Sequence, residues 1–167
     1  GGTVIVMERF DALESLKLIQ KHRVTHSQWV PTMFIRMLKL PKEEREKYHI
    51  SGMKIAIHAA APIPIPVKEQ MIEWWGPILF EYYGGSEGNG LTAITSREWL
   101  THKGSVGRSY IGKAHVLDED GNELPPGEPG IVYFADGPEF EYHNDPEKTR
   151  ASRNPRGWST INDIGYL

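Results

Sequence analysis

Between residues 3 and 83, short β-branched or apolar runs alternate with segments whose apolar residues recur at helical spacing. The runs fall at residues 3–7, 25–30, 53–59 and 78–83. Between the first two, Leu13, Leu16 and Ile19 follow Asp11, a good N-cap, at helical spacing. Phe34, Ile35 and Leu38 follow Pro31, a residue that a first helical turn tolerates. Residues 42–48 read as a charged, solvated helical turn, and residues 67–75 as a helix closed by Gly76-Pro77. Alternation of this kind predicts an α/β fold, a partly parallel sheet flanked by helices.

The pattern changes near residue 100. Gly104, Gly107 and Gly112 punctuate short segments, and Asp120-Gly121 lies between Val116-Leu117 and Leu124 as a hairpin turn signal. Residues 131–134 read as a further strand. A small antiparallel β subdomain, or partial barrel, is expected to follow the α/β part, with residues 1–99 as the α/β subdomain and residues 100–167 as the β-rich one. The 167 residues suffice for one domain with a real core.

Composition excludes several classes of function. With 19 basic and 22 acidic residues the net charge is −3, so nothing electrostatic favours nucleic acid or an anionic membrane as partner. There is no cysteine, hence no disulfide framework, thiolate metal site or cysteine nucleophile. The longest apolar stretch, residues 55–67, is interrupted by His58, Pro62, Pro64 and Pro66, and no transmembrane segment is expected. The chain opens without an initiator methionine and closes on the apolar run Asp163-Ile164-Gly165-Tyr166-Leu167, which suggests a piece of a longer polypeptide whose remainder is its partner.

Some signals have plain structural readings. Asp118-Glu119-Asp120-Gly121-Asn122-Glu123 resembles a calcium loop, but its glycine comes too early and its last glutamate is misplaced, so a hairpin turn is expected. The seven histidines show no paired metal-ligand spacing. Trp74-Trp75 reads as core packing.

Gly84-Gly85-Ser86-Glu87-Gly88 matches the G-x-S-x-G pattern of a nucleophile elbow. A triad of Ser86 with Asp118 or Asp136 and His143 would make the chain an α/β serine hydrolase. The elbow, however, must launch a helix, and Asn89-Gly90-Leu91-Thr92-Ala93-Ile94-Thr95 reads as loop and strand. The same segment suits a nucleotide-facing loop at the carboxyl end of a parallel strand, where ligands of open α/β sheets bind. Its glycines allow close backbone approach, a tyrosine can stack on a base, a hydroxyl can meet a phosphate, and a carboxylate can hold Mg²⁺ together with phosphate oxygens.

Four stretches resemble the AMP-forming acyl-CoA synthetases, members of the adenylate-forming superfamily that also holds luciferases and peptide-synthetase adenylation domains. Tyr83-Gly84-Gly85-Ser86-Glu87 is similar to Y-G-x-[ST]-E, and His58-Ala59-Ala60-Ala61-Pro62 to the small-residue segment against the adenine. Gly127-Glu128-Pro129-Gly130, with Gly137-Pro138, Tyr142 and Asp145-Pro146-Glu147-Lys148-Thr149, resembles the G-E-x-G…GY…P-E-x-T region. Gly157-Trp158-Ser159-Thr160-Ile161-Asn162-Asp163-Ile164-Gly165 resembles G-W-x-x-T-G-D-x-G. Val30-Pro31-Thr32-Met33-Phe34 adds weaker support. The four stretches occur in the family's order over nearly the whole chain.

The resemblance implies a middle piece of the family's large N-terminal domain. In such a ligase a carboxylate attacks the α-phosphate of ATP, giving acyl-AMP and pyrophosphate, and coenzyme A then displaces AMP. It implies that Tyr83 stacks on adenine, that Ala59, Ala60, Ala61 and Tyr82 line the base, and that Gly84 and Gly85 border the acyl pocket. It further implies that Ser86 meets the AMP phosphate, that Glu87 holds Mg²⁺, and that Asp163 accepts hydrogen bonds from the ribose hydroxyls. Ser86 and Glu87 would be the catalytic residues. The acid would be a fatty acid or a related carboxylic acid, the setting lipid metabolism in the cytoplasm or at a membrane periphery. The chain departs from T-G-D with Ile161-Asn162-Asp163, keeping the aspartate but not the threonine. It contains no Ser/Thr/Gly-rich phosphate loop ending in Pro-Lys-Gly and no C-terminal lysine domain, so the isolated piece is expected to be inactive. A non-catalytic nucleotide-binding scaffold is the third class of reading.

Overall fold

A computed structural model describes all 167 residues. The elements run α1 (Ala12–His22), β1 (His26–Trp29), α2 (Pro31–Leu38), α3 (Lys42–Arg45), β2 (Ile55–His58), α4 (Ile65–Trp75) and β3 (Leu79–Tyr83). There follow β4 (Leu91–Thr95), α5 (Ser96–Thr101), β5 (Arg108–Ile111), β6 (Lys113–Leu117), β7 (Gly130–Ala135), α6 (Pro146–Ala151) and β8 (Ile164–Gly165). The strands are ordered β1-β2-β3-β4-β5 in one sheet and β6-β7-β8 in the other. The fold is therefore mixed α/β, with a partly parallel sheet and a separate small antiparallel one. Two compact units result: residues 1–82 with 94–107, and residues 83–93 with 108–167.

In the first unit β1, β2 and β3 are parallel, with Trp29 opposite His58 and His58 opposite Glu81. The Asp11 carboxylate accepts the Glu14 N–H at 2.8 Å and starts α1, as its position before the apolar spacing implies. Pro31 opens α2, and Gly76, at φ 79°, closes α4. The core joins Leu16, Phe34, Met37, Ala56, Met71, Leu79 and Trp99, each nearly or wholly buried. Trp29, Phe34 and Trp75 meet at tilted or edge-to-face angles, with ring centroids 5.5–5.9 Å apart. Burial of one such side chain contributes about 1.5–3 kcal/mol, enough to explain why this layer organises the unit.

One expected strand does not form. Residues 3–7 belong to no sheet, and Val4 and Val6 are 80% and 81% exposed. β-branching favours a pleated, half-buried surface, and without a neighbouring ladder it makes no strand. The segment after β4 instead contains α5, started by a capping box in which Thr95 and Glu98 satisfy each other's backbone N–H groups.

In the second unit β6 and β7 pair antiparallel from Lys113↔Ala135 to Leu117↔Ile131, and β7 pairs with β8 at Gly130↔Gly165 and Ile131↔Ile164. The turn after β6 spans Asp118 to Asn122, whose backbone groups bond each other, with Gly121 at φ 82°. It is the hairpin turn expected of Asp120-Gly121. Leu91, Thr92 and Ala93 of β4 pair antiparallel with β5.

Candidate functional site

The loop from Gly84 to Gly90 belongs to the second unit, and its path is set by what lies against its glycines. A Cβ at Gly90 would sit 2.1 Å from the Phe134 ring, and one at Gly84 would sit 2.8 Å from the Gly90 carbonyl oxygen. At Gly85 a Cβ would meet Glu87 Oε2 at 2.7 Å and Ile161 Cδ1 at 3.0 Å. Beneath the loop, Asn89 is buried and its side-chain amide donates to the Ser159 carbonyl at 3.4 Å. Only glycine lets the chain fold this closely onto β7 and the 159–161 segment.

Two of the expected site residues, far apart in sequence, meet. The Tyr83 hydroxyl donates to Asp163 Oδ2 at 3.0 Å. The Tyr83 ring stacks on Phe134 with centroids 6.2 Å apart and planes 26° from parallel. Burial, with the carboxylate alongside, pushes the phenol well above its ordinary pKa of 10.0, so it stays a donor across the physiological range. Asp163 is itself exposed, and its carbonyl accepts the Val132 N–H at 2.9 Å, which anchors it beside β7.

The departure from T-G-D has a local explanation. Asn162 takes φ 64°, the left-handed region that glycine enters freely and asparagine tolerates. Buried Thr160 accepts the Asn162 N–H at 2.9 Å and donates to the Val132 carbonyl at 2.7 Å, so it shapes the turn that presents Asp163. Ile161 fills the space above Gly85.

Ser86 is exposed, and the chain beyond it turns through residues 86–90 into β4 rather than into a helix. His143 bonds Asn144. The nucleophile elbow is therefore not formed. Glu87 is half-buried, and its Oε1 accepts the Tyr142 hydroxyl at 2.9 Å. Phe134 and Tyr142 are the residues sequence reasoning left without a role here; Tyr142 stood in a quoted motif, whereas nothing marked Phe134.

Ala59, Ala60, Ala61 and Tyr82 lie in the first unit. Ala59, Ala60 and Tyr82 line a cavity of about 350 Å³ together with Trp29, Val30 and Met33. Ala60 takes φ 75°, a conformation an alanine rarely adopts. Behind it His58 is fully buried, with neither ring nitrogen hydrogen-bonded and Nε2 3.9 Å from Glu81 Oε2. Glu81 and Lys68, both buried, form a hydrogen-bonded ion pair, and the Lys68 ammonium lies 4.8 Å from the centre of the Trp99 ring. Burial pushes the Glu81 carboxyl up and the Lys68 ammonium down, each opposed by the partner's charge. The His58 pKa falls to about 3 through burial and the nearby Lys68 charge, so the imidazole is neutral. Sequence reasoning gave this group no role: its members come from β2, α4 and β3.

A family model described as AMP-binding enzyme matches residues 1–139, and the chain belongs to that family. Among curated proteins it is 33% identical over 171 residues to a long-chain-fatty-acid–CoA ligase of Bacillus subtilis (strain 168), an alignment spanning 100% of this chain and 30% of that protein. It is 29% identical over 177 residues to a 4-coumarate–CoA ligase of Pinus taeda, again over 100% of this chain and 32% of the relative. Among solved structures, the amide bond synthetase McbA from Marinactinospora thermotolerans superposes with a TM-score of 0.83 at 26% identity, covering 100% of this chain and 34% of that one. The o-succinylbenzoate CoA synthetase MenE from Bacillus subtilis, in complex with AMP, gives a TM-score of 0.78 at 25% identity over 96% of this chain and 32% of that one. The chain spans about a third of the length of the proteins it matches. No helix is long and apolar enough to cross a membrane.

Proposed function

We propose that this chain supplies nucleotide-binding residues of an ATP-dependent carboxylic acid–CoA ligase. The single observation that carries the reading is the Tyr83–Asp163 contact, which sets an aromatic ring beside an exposed carboxylate in a chain of the AMP-binding family. A ring can stack on a purine, and a carboxylate can accept from both ribose hydroxyls, since both are donors. In this reading Tyr83 binds the adenine face, Asp163 the ribose, and Ser86 an α-phosphate oxygen. Ala59, Ala60, Ala61 and Tyr82 lend backbone to the base, and Gly84 and Gly85 border the acyl group. The residues contribute positioning and charge complementarity while an acid oxygen displaces pyrophosphate and, later, the CoA thiolate sulfur displaces AMP.

Glu87 suits a magnesium ion. It is one half-buried carboxylate held by a neutral donor, and no cluster of three potential ligands surrounds it. Mg²⁺ in nucleotide sites takes one or two carboxylates and completes its shell with phosphate oxygens and water. When bound, the ion would neutralise phosphate charge. The acid would be a fatty acid or a related carboxylic acid; the long-chain-fatty-acid and 4-coumarate ligases among the relatives support a range from aliphatic to aromatic acids. The setting is cytoplasmic, where ATP and coenzyme A meet, with peripheral membrane contact for a lipid acid. The sequence lacks a Pro-Lys-Gly phosphate loop, and we expect nucleotide binding without turnover from the chain alone.

Calorimetric titration with AMP and with a non-hydrolysable acyl-adenylate analogue tests this. Binding that disappears in Tyr83→Ala and Asp163→Ala is expected; binding of neither ligand, or binding indifferent to both substitutions, overturns the reading.

A further inference from the structure

The segment Tyr142 to Thr149 resembles a family motif yet carries none of the roles assigned above. Its contacts supply one. The Tyr142 hydroxyl reaches across 55 positions to donate to Glu87 Oε1 at 2.9 Å. On the other side, Glu87 Oε2 occupies the space that a side chain at residue 85 would need, 2.7 Å from the position of a Gly85 Cβ. The carboxylate is thus held at one oxygen by a phenol and accommodated at the other by a glycine.

Tyr142 is itself aimed. Its N–H donates to Thr149 Oγ1 at 2.9 Å, and Thr149 Oγ1 donates to the Asp145 carbonyl at 2.9 Å. Asp145 caps α6 by accepting the Lys148 N–H at 2.9 Å, and its own N–H donates to the Tyr142 carbonyl at 3.1 Å. The Tyr142 ring stands edge-on to Phe140 at 5.4 Å, and the Lys148 ammonium lies 3.9 Å from the ring centre. Asp145-Pro146-Glu147-Lys148-Thr149 thereby builds a short capped helix whose first turn grips the tyrosine from backbone and face, while Phe140 packs at its ring from outside the helix.

We propose that Tyr142, locked by Thr149, is a positioning residue that fixes the Glu87 carboxylate for magnesium. The proposal rests on the reading of Glu87 as the magnesium carboxylate. A free glutamate loses rotamer entropy when a ligand orders it, and a carboxylate already ordered by a phenol escapes part of that loss. A neutral donor leaves the negative charge intact, whereas a lysine or arginine in its place would compete with the cation. Partners of metal ligands act in this way, and removing one typically costs roughly tenfold or more in metal affinity.

The test titrates Mg²⁺ into the ATP-saturated protein by calorimetry and measures AMP affinity in EDTA alongside. Tyr142→Phe is expected to raise the Mg²⁺ concentration needed for half-saturation roughly tenfold with AMP affinity in EDTA unchanged. Thr149→Val should act in the same direction, and Thr149→Ser, which keeps the hydroxyl, should restore the wild-type value. Adding Tyr142→Phe to Glu87→Gln should change nothing further. A Tyr142→Phe protein with the wild-type Mg²⁺ requirement overturns the proposal, as does one whose AMP affinity in EDTA falls in step with its thermal stability. If wild-type ATP binding ignores Mg²⁺ while AMP binding still depends on Asp163, the magnesium reading of Glu87 fails and this proposal with it. If no nucleotide binds at all, the ligase reading fails first.

Discussion

The Tyr83 hydroxyl donates a 3.0 Å hydrogen bond to Asp163 Oδ2, joining a residue at the end of β3 to one just before β8, 80 positions on. The bond occupies one carboxylate oxygen and holds the phenol ring against Phe134. Ring and carboxylate can therefore be separated by mutation. Tyr83→Ala removes a stacking surface worth about 1–3 kcal/mol per base, so AMP affinity should fall about 5–150-fold. Tyr83→Phe keeps the ring and loses only the bond, and should fall by much less. Calorimetry on the pair decides; equal losses would mean that stacking is not the interaction.

The same bond sets a pH dependence. The folded phenol titrates above its ordinary 10.0, so its contribution to stability is fully present below pH 10 and is lost as pH rises through the folded value. Ultraviolet titration of phenolate absorbance should show, beside the Tyr142 phenol, which burial and the Glu87 carboxylate also raise, a late-ionising tyrosine that is lost in Tyr83→Phe. In Asp163→Ala it should ionise earlier, because the carboxylate no longer opposes loss of the proton.

Much of the parallel part was legible because local signals and tertiary demands agree there. The runs at residues 25–30, 53–59 and 78–83 each contain a strand, and Asp11, Pro31 and Gly76 sit at helix ends as their backbone preferences require. The run at residues 3–7 misled because β-branching without a pairing partner makes no sheet. Two short helices were passed over although their signals were present: Thr95 with Glu98 is a capping box, and Asp145-Pro146 is an N-cap followed by a proline in the first turn. For the candidate site, motif order brought Tyr83 and Asp163 to attention together. It was silent on Phe134, on the Tyr142–Glu87 bond and on the Lys68–Glu81 pair, since these depend on which faces of distant elements meet, and no local pattern encodes that.

Lys68 and Glu81 are both buried, so removing either leaves an uncompensated charge. Lys68→Met or Glu81→Leu alone should destabilise the protein by about 3–5 kcal/mol. The double replacement, with two apolar side chains, should cost far less than the sum. Denaturant midpoints of the four proteins form the cycle, and additive losses would show that the charges do not depend on each other.

Gly90 faces the Phe134 ring at a distance no Cβ can occupy. Gly90→Ala should therefore displace either the loop or the ring, at a cost of about 1–3 kcal/mol, and should weaken AMP binding through the Tyr83 face that Phe134 supports. Phe134→Ala in the same protein should recover part of the stability without the affinity. A Gly90→Ala protein as stable as wild type would mean that the loop does not pack on β7 as described.

His58 makes the sharpest acid-side prediction. Its imidazole is buried without a hydrogen-bond partner, and Lys68 adds a repelling charge, so its pKa drops from 6.5 to about 3 in the folded protein. Between those values the unfolded chain binds a proton that the folded chain refuses, and stability therefore falls as pH is lowered from about 6.5 toward 3. A single such group contributes a slope of at most about 1.4 kcal/mol per pH unit. Glu81, whose carboxyl burial pushes up, takes its proton more readily in the folded chain than in the unfolded one, so its titration opposes that loss rather than adding to it. Urea midpoints measured between pH 7 and 4 should decline more steeply in the wild type than in His58→Gln, which cannot take up the proton. Parallel declines would show that the His58 imidazole is not the source of the acid sensitivity.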